Sequence, residues 1–316
     1  MRVLVTGATG YLGRAIVHAL RARGHAPVAF ARHASTSRLD VPCIDGDVTD
    51  AHAVDAAVRD SDAVCHAAAL VSIWRRDTSD FDRVNVEGTR LVLSAAQRHG
   101  IRRCVYTSSF LAIPPDGATA PLQANDYQRT KAQALAVADA FTAAGLPLVT
   151  MIPGVIYGPG VRTEGNLVGR LLIDRVEGRL PAAVGLDRIW SFAYVDDVAD
   201  AHAAAVDAPQ VRPRYGLGGP NLPQRALFEW LQRTSGRSLP RPLPPAMARL
   251  AGWIEQQRAR LTGAMPLVTV RSVDVLEHDW PIDSRDAVED LGYRLRPLDE
   301  GLDLMWRTLM PPSPVA

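Results

Sequence analysis

Directly behind the apolar run Val3-Leu4-Val5-Thr6 the chain reads Gly7-Ala8-Thr9-Gly10-Tyr11-Leu12-Gly13, and a helical pattern opens at Leu12. This spacing leaves the fold little freedom. A tight turn from strand into helix needs a residue without a Cβ. A second glycine lets the backbone approach a pyrophosphate, and a third lets the helix pack closely on the strand. The phosphates then face the free N–H groups of the helix N-terminus. A glycine-rich turn alone is a weak signal. Set between a strand and a helix, at the head of a β-α-β series, it points to a dinucleotide site.

That series continues for some two hundred residues. Strands are expected at Val3–Thr6, Pro27–Ala31, Ala63–Ala67, Cys104–Thr107 and Leu146–Ile152, and helices near Leu12–Arg23, Ala51–Arg59, Phe81–Arg98 and Tyr127–Ala144. Gly24, Gly100 and Gly145 each follow a helical pattern, where a left-handed cap belongs. Runs such as AVCHAAA are apolar throughout rather than alternating, as strands covered on both faces should be. The expected fold class is α/β: a doubly wound parallel sheet of Rossmann type with a smaller, mostly helical C-terminal substrate-binding domain. The dinucleotide-binding domain is expected over 1–160, with 188–215 returning to it. The substrate domain then takes 161–187 and 216–316. In that second part Met247, Leu250, Ala251, Ile254 and Leu261 recur at helical spacing, predicting an amphipathic helix over roughly 245–262 that packs on the core.

Composition narrows the partners. With 316 residues, 47% hydrophobic and 22% charged, the chain reads as an ordinary globular protein long enough for a large core. A net charge of +1 argues against nucleic acid or an anionic membrane surface as the main partner. No apolar run approaches bilayer length, and the N-terminus is too short for a signal-peptide core. Membrane insertion is therefore not expected, and a cytoplasmic location is. Cys43, Cys65 and Cys104 have no close spacing, so neither a zinc site nor a disulfide framework is indicated.

Two further features bear on chemistry. The second strand ends Ala29-Phe30-Ala31-Arg32, with a guanidinium where an acid would accept from the adenosine ribose. Arginine pairs with a 2′-phosphate, which favours NADP(H) over NAD(H). Asp47, in Asp45-Gly46-Asp47-Val48, is a candidate acceptor for the adenine amino group. The second feature is Tyr127-Gln128-Arg129-Thr130-Lys131 at the start of an alanine-rich helix. Tyrosine and lysine one turn apart occur by chance on many helices, so the pair needs support from elsewhere.

The support comes from the order of motifs. GATGYLG, DGDV, HAAA (66–69), NVEGT (85–89), YTSS (106–109), YQRTK, IPGVIYGPG and SFAYVDDVA together resemble the extended short-chain dehydrogenase/reductases, the NAD-dependent epimerase/dehydratase superfamily. The match spans about two thirds of the chain and is nearest to the dihydroflavonol-4-reductase-like and 3-beta-hydroxysteroid-dehydrogenase-like branch. The resemblance implies that Tyr127 is the general acid/base, Lys131 its electrostatic partner and a serine of Ser108-Ser109 the carbonyl-orienting donor. The YTSS pattern favours Ser109 and places Ser108 near the cofactor, with Ser108 as the alternative donor. It implies a cofactor track along Gly7, Thr9, Gly10, Tyr11, Leu12, Gly13, Arg32, Asp47, Val48, Ala67, Ala68, Ala69, Ser108, Lys131, Pro153 and Val155. His66 reads as a satisfied strand-end histidine, and Asn85 as a residue holding backbone or water near the site. A phenol titrates near 10, and a lysine one turn away favours its ionised form.

One departure shapes the substrate expectation. Sugar-nucleotide epimerases of the family carry polar residues at the positions of Ile152 and Val155, so this chain suits a less polar ligand. Trp74, Trp190 and Trp253 are candidates for an apolar wall. The expected activity is reversible reduction of a ketone or aldehyde on a mainly apolar small molecule. A sugar-nucleotide epimerase or dehydratase and a non-catalytic dinucleotide sensor are the alternatives. The resemblance also makes the apolar 132–141 helix face a candidate homodimer surface.

Overall fold

The computed structural model describes residues 1–160, 163 and 165–309. Six strands come in chain order: β1 (Arg2–Thr6), β2 (Ala26–Ala31), β3 (Cys43–Asp45), β4 (Ala63–His66), β5 (Arg103–Thr107) and β6 (Leu148–Pro153). With Arg214–Leu217 they form a seven-stranded sheet in the order Arg214–Leu217, β6, β5, β4, β1, β2, β3. Every neighbouring pair is parallel. The order reverses beside β1, which opens the crevice where such sheets bind ligands.

Both faces of the sheet are covered, which explains its uninterrupted apolar strands. Val3, Val5, Cys65, Val105 and Met151 face one layer, built by helix α1 (Tyr11–Ala22) and the Val195–Asp207 helix. Leu4, Val28, Phe30, Val64, Cys104 and Leu148 face the other, where Ala51–Arg59, Gly88–Arg98 and Asp126–Ala143 pack. Cys65 and Cys104 are free and buried, as the sequence implies. Gly24, Gly100 and Gly145 all adopt positive φ behind their helices.

The remaining chain builds a smaller unit. Val155–Tyr157 and Asn221–Pro223 flank Ile189–Tyr194 in a three-stranded sheet, surrounded by helices that include Leu167–Val176, Arg225–Ser235 and Leu298–Leu309. Its core gathers Phe110, Tyr157, Phe192, Trp230, Trp280 and Leu302. A buried ion pair anchors the unit: Arg296 makes two 2.8 Å bonds to Asp197 and stacks on Tyr194, 4.2 Å from the ring centroid. Of the expected substrate segments, 161, 162, 164 and 310–316 lie outside the described residues.

One expectation is overturned. The amphipathic helix forms, as Pro245–Thr262, but it does not bury its large apolar residues. Its packed face is Ala248, Gly252 and Ala259, while Met247, Leu250 and Ile254 face away from the core. Gly252 approaches the Thr269 backbone so closely that an added Cβ would lie 2.8 Å from it, so the small residues are what allow the contact.

Candidate active site

The residues singled out in the sequence lie at the C-terminal ends of the parallel strands. Gly7 follows β1, Arg32 follows β2, Asp47 lies just past β3 and Ala67 follows β4, while Ser108 follows β5 and Val155 lies just past β6. This is the end at which open α/β sheets take their ligands. A hollow of about 480 Å³ beside Gly100, Ile101, Gly145 and Pro147 lies at the opposite, N-terminal ends of β5 and β6, away from this chemistry.

The glycine turn fits a dinucleotide by its lack of side chains. Gly7 has φ +69°, and a Cβ there would stand 2.7 Å from the Ala68 backbone, so the turn and the Ala67–Ala69 segment are in near contact. A Cβ on Gly13 would meet the Gly7 carbonyl. Gly10 caps α1 without any side-chain acceptor, leaving the first-turn N–H groups available. Tyr11 spends its phenol on the Gly158 carbonyl at 2.9 Å, and the Thr9 carbonyl accepts from Arg14. Leu12 packs against the core and Val48 is buried against Gly88.

At the adenosine end, Arg32 is exposed and makes no ion pair with any described residue. The nearest strand-end carboxylate, Asp45, is already engaged by the Ser35 N–H (2.9 Å) and hydroxyl (2.5 Å). Those bonds hold Asp45 below the usual carboxylate range. Asp47 accepts from both the N–H and hydroxyl of Thr49 through one oxygen, leaving its second oxygen unengaged.

Ser109, Tyr127 and Lys131 converge between β5 and the Asp126–Ala143 helix. Ser109 is buried and its hydroxyl accepts from the Leu111 N–H at 3.2 Å. Tyr127 stands at the second position of the helix, which Asn125 caps by accepting from the Gln128 N–H. Burial pushes the Tyr127 phenol up to about 12, and a hydrogen bond from Ser109 opposes that rise. Lys131 is buried, and desolvation pulls it down to about 7. Its ammonium donates to the Thr107 carbonyl (2.8 Å) and the Tyr106 hydroxyl (3.3 Å). The expectation that Lys131 lowers the Tyr127 pKa is not met in the chain alone: desolvation raises the phenol, Ser109 is what opposes the rise, and the Lys131 ammonium is bonded to Thr107 and Tyr106 instead. Ser108 is buried beside them, and its hydroxyl has no partner among the described residues.

A buried polar network supports this helix. Asn85 sits in a π-helical turn, Asp82–Glu87, and clamps both backbone groups of Leu70 with its amide (2.7 and 3.2 Å). The same amide donates to Thr130 on the Tyr–Lys helix at 3.1 Å. Arg129 grips Asp82 through two 2.7 Å bonds. His66 bridges Thr6 (2.7 Å) and Thr89 (3.0 Å). Thr89 donates its own proton to the Asn85 carbonyl, so His66 carries its proton on Nε2. Burial and Lys131 hold His66 down to about 3, a neutral and satisfied histidine. His202 does the same for Thr107, accepting its hydroxyl at 2.9 Å while binding the Val198 carbonyl.

Beside Ser109, Phe110 packs edge-on to Trp280 (5.5 Å) and tilted to Trp190 (6.4 Å). Sequence reasoning named Trp190 as a candidate for such a wall and missed Trp280. Trp253 does not join this wall, being 55% exposed on the Pro245–Thr262 helix, and Trp74 lies half-buried in the segment after β4.

Residues 3–218 match the NAD dependent epimerase/dehydratase family. Over 308 residues the chain is 34% identical to sterol demethylase protein B of Methylococcus capsulatus, covering 92% of this chain and 93% of that protein. It is 29% identical over 309 residues to a putative dihydroflavonol 4-reductase of Synechocystis sp., covering 91% and 88%. The crystal structure of gox2253 superposes with a TM-score of 0.79 at 28% identity, over 97% of each chain.

Proposed function

The chain belongs to the NAD-dependent epimerase/dehydratase family, and we propose that within it this protein reduces a ketone or aldehyde on a mainly apolar small molecule with NADP(H). The observation that carries the reading is the meeting of Ser109, Tyr127 and Lys131 beside an apolar wall of Phe110, Trp190 and Trp280. Gly7, Gly10 and Gly13 would hold the pyrophosphate, Arg32 the 2′-phosphate and Lys131 the nicotinamide ribose. When bound, the cofactor supplies hydride to the carbonyl carbon. Ser109 holds the carbonyl oxygen, and Tyr127 gives that oxygen its proton, leaving an alcohol and a phenolate. A phenol raised to about 12 arrives protonated at neutral pH, as a proton donor must. Lys131 then stabilises the phenolate until it is reprotonated.

Ile152 and Val155, both buried, replace the polar pair that a sugar-nucleotide substrate would require, which supports an apolar ligand. Two relatives carry names that refer to a sterol and a dihydroflavonol, consistent with a polycyclic or aromatic carbonyl. The test is consumption of NADPH by the purified protein against a panel of aromatic and polycyclic ketones and aldehydes, with NADH in parallel. Turnover preferring NADPH is expected, with the preference lost in Arg32→Ala. A protein that binds NADPH yet turns over nothing in the panel would sink the reading.

A further inference from the structure

The Pro245–Thr262 helix aims its largest apolar side chains away from the protein. Met247, Leu250, Trp253, Ile254 and Leu261 are each more than half exposed, Leu261 at 86%. Met247, Leu250, Ile254 and Leu261 form one stripe at helical spacing, roughly 21 Å long, with Trp253 beside it. Met265 and Leu267 extend the apolar surface past the helix end. Apolar residues scattered singly over a surface need no explanation, but a contiguous stripe of this size marks an interaction site.

The surroundings say what kind of partner fits. Between 241 and 271 five arginines stand against one glutamate, a formal +4, although the whole chain carries only +1. The nearby acids are all paired, Glu255 with Arg258 and both Asp274 and Glu277 with Arg249, and counting the last two leaves a formal +2 over 241–277. Arg241, Arg260 and Arg271 are exposed and have no carboxylate partner among the described residues. Arg76 donates to the Arg260 carbonyl at 3.2 Å, tying the helix end to the segment that runs on from the Ala67–Ala69 wall.

We propose that this helix docks the protein on an anionic lipid surface. Met247, Leu250, Trp253, Ile254 and Leu261 sink into the boundary between headgroups and acyl chains, and Arg241, Arg260 and Arg271 meet lipid phosphates. The stripe is too long for a small ligand, and a second copy of the chain would set this cationic rim against itself. No helix among the described residues is long and apolar enough to cross a membrane, so the contact is interfacial. The inference goes beyond the reductase reading.

The test is flotation of the full chain with vesicles of phosphatidylglycerol and phosphatidylcholine, against phosphatidylcholine alone. The protein is expected to float with the anionic vesicles and at least tenfold less with the neutral ones. Leu250→Ser/Trp253→Ser/Ile254→Ser should cut recovery at least tenfold with the unfolding midpoint retained. Arg260→Gln and Arg271→Gln should each weaken binding about fivefold, the effect of one charge near such a surface. Wild type that stays with the unbound fraction, or a triple-serine variant that floats as wild type does, would overturn the proposal. So would a wild-type dimer that dissociates in the triple variant without any flotation, since a second copy would then be the occupant. Flotation requires no turnover, so its failure leaves the proposed activity standing.

Discussion

Two helices of eighteen residues, Asp126–Ala143 and Pro245–Thr262, invert each other's burial. The first hides polar groups: Gln128, Thr130 and Lys131 are at most 3% exposed. The second hides alanine and glycine and leaves tryptophan, leucine, isoleucine and methionine outside. Each breaks the rule that apolar residues go in and charged ones stay out. Burying a lysine costs free energy unless its ammonium is bonded, and Lys131 is bonded by Tyr106 and Thr107. Exposing a tryptophan forfeits the burial term that a folded chain normally gains. Departures of this kind concentrate where function has overridden packing, which is why the proposed chemistry and the proposed docking surface are assigned to these two helices.

The contrast breaks most visibly at the polar helix. Tyr127→Phe removes the proposed proton donor and keeps the ring, so activity should fall about 10²- to 10⁴-fold with little change in fold. Steady-state rates beside a thermal unfolding midpoint check this, and unchanged turnover would remove Tyr127 from the chemistry. The next effect comes from Lys131. Its folded pKa of about 7 lies below the ordinary 10.5, so between these values the unfolded chain binds more protons. Stability therefore rises with pH through that window and flattens below it. From about pH 7 to pH 9 the gain attributable to Lys131 is up to about 2–3 kcal/mol. Denaturant midpoints at both pH values, compared in wild type and Lys131→Met, isolate it: the variant should lack the slope.

Much of the sheet half was legible because its signals are local. Helix Ala51–Arg59 falls where the pattern puts it, and the other expected elements lie within one or two residues, the helix expected from Phe81 opening at Ser79. The glycines declare themselves by spacing, and YQRTK by its place in a motif order. Asn85 was read as holding backbone or water near the site, but its partners were not legible, since it meets Leu70 and Thr130 across 15 and 45 residues, and neither was His202, which meets Thr107 across 95. Thr6 ends the first expected strand and Thr89 closes the NVEGT motif, yet nothing local marks them as the partners of His66. The Pro245–Thr262 helix misled for a different reason. Its periodicity was correctly read, but periodicity reports that a stripe exists and not which way it faces. The deciding residues were the small ones opposite, Ala248, Gly252 and Ala259, which let the chain approach Thr269 closely. Net charge is likewise a coarse signal, because +1 averages over a locally basic segment and its acidic surroundings.

Two smaller effects sharpen the comparison. Asn85→Ala deletes the amide that joins Leu70 to the Tyr–Lys helix, leaving the partly buried Leu70 N–H without its partner. A loss of about 1–3 kcal/mol is expected, with a fall in turnover as the helix loses its reference point. Denaturant titration with assay of the folded fraction separates the two, and an unchanged midpoint would show that the clamp contributes nothing.

The smallest effect is the most diagnostic. Serine at Leu250, Trp253 or Ile254 should move stability by no more than about 0.5 kcal/mol each, because these side chains lose little contact when shortened. The same change in a buried leucine would cost several times as much. Thermal midpoints of the three single variants in detergent-free buffer decide the matter. A loss of 2 kcal/mol or more would mean that the stripe is covered in solution, by another part of the chain or by a second copy. Near-neutral values would leave the apolar stripe with no role in folding, so that its composition has to be explained by what the helix meets outside the protein.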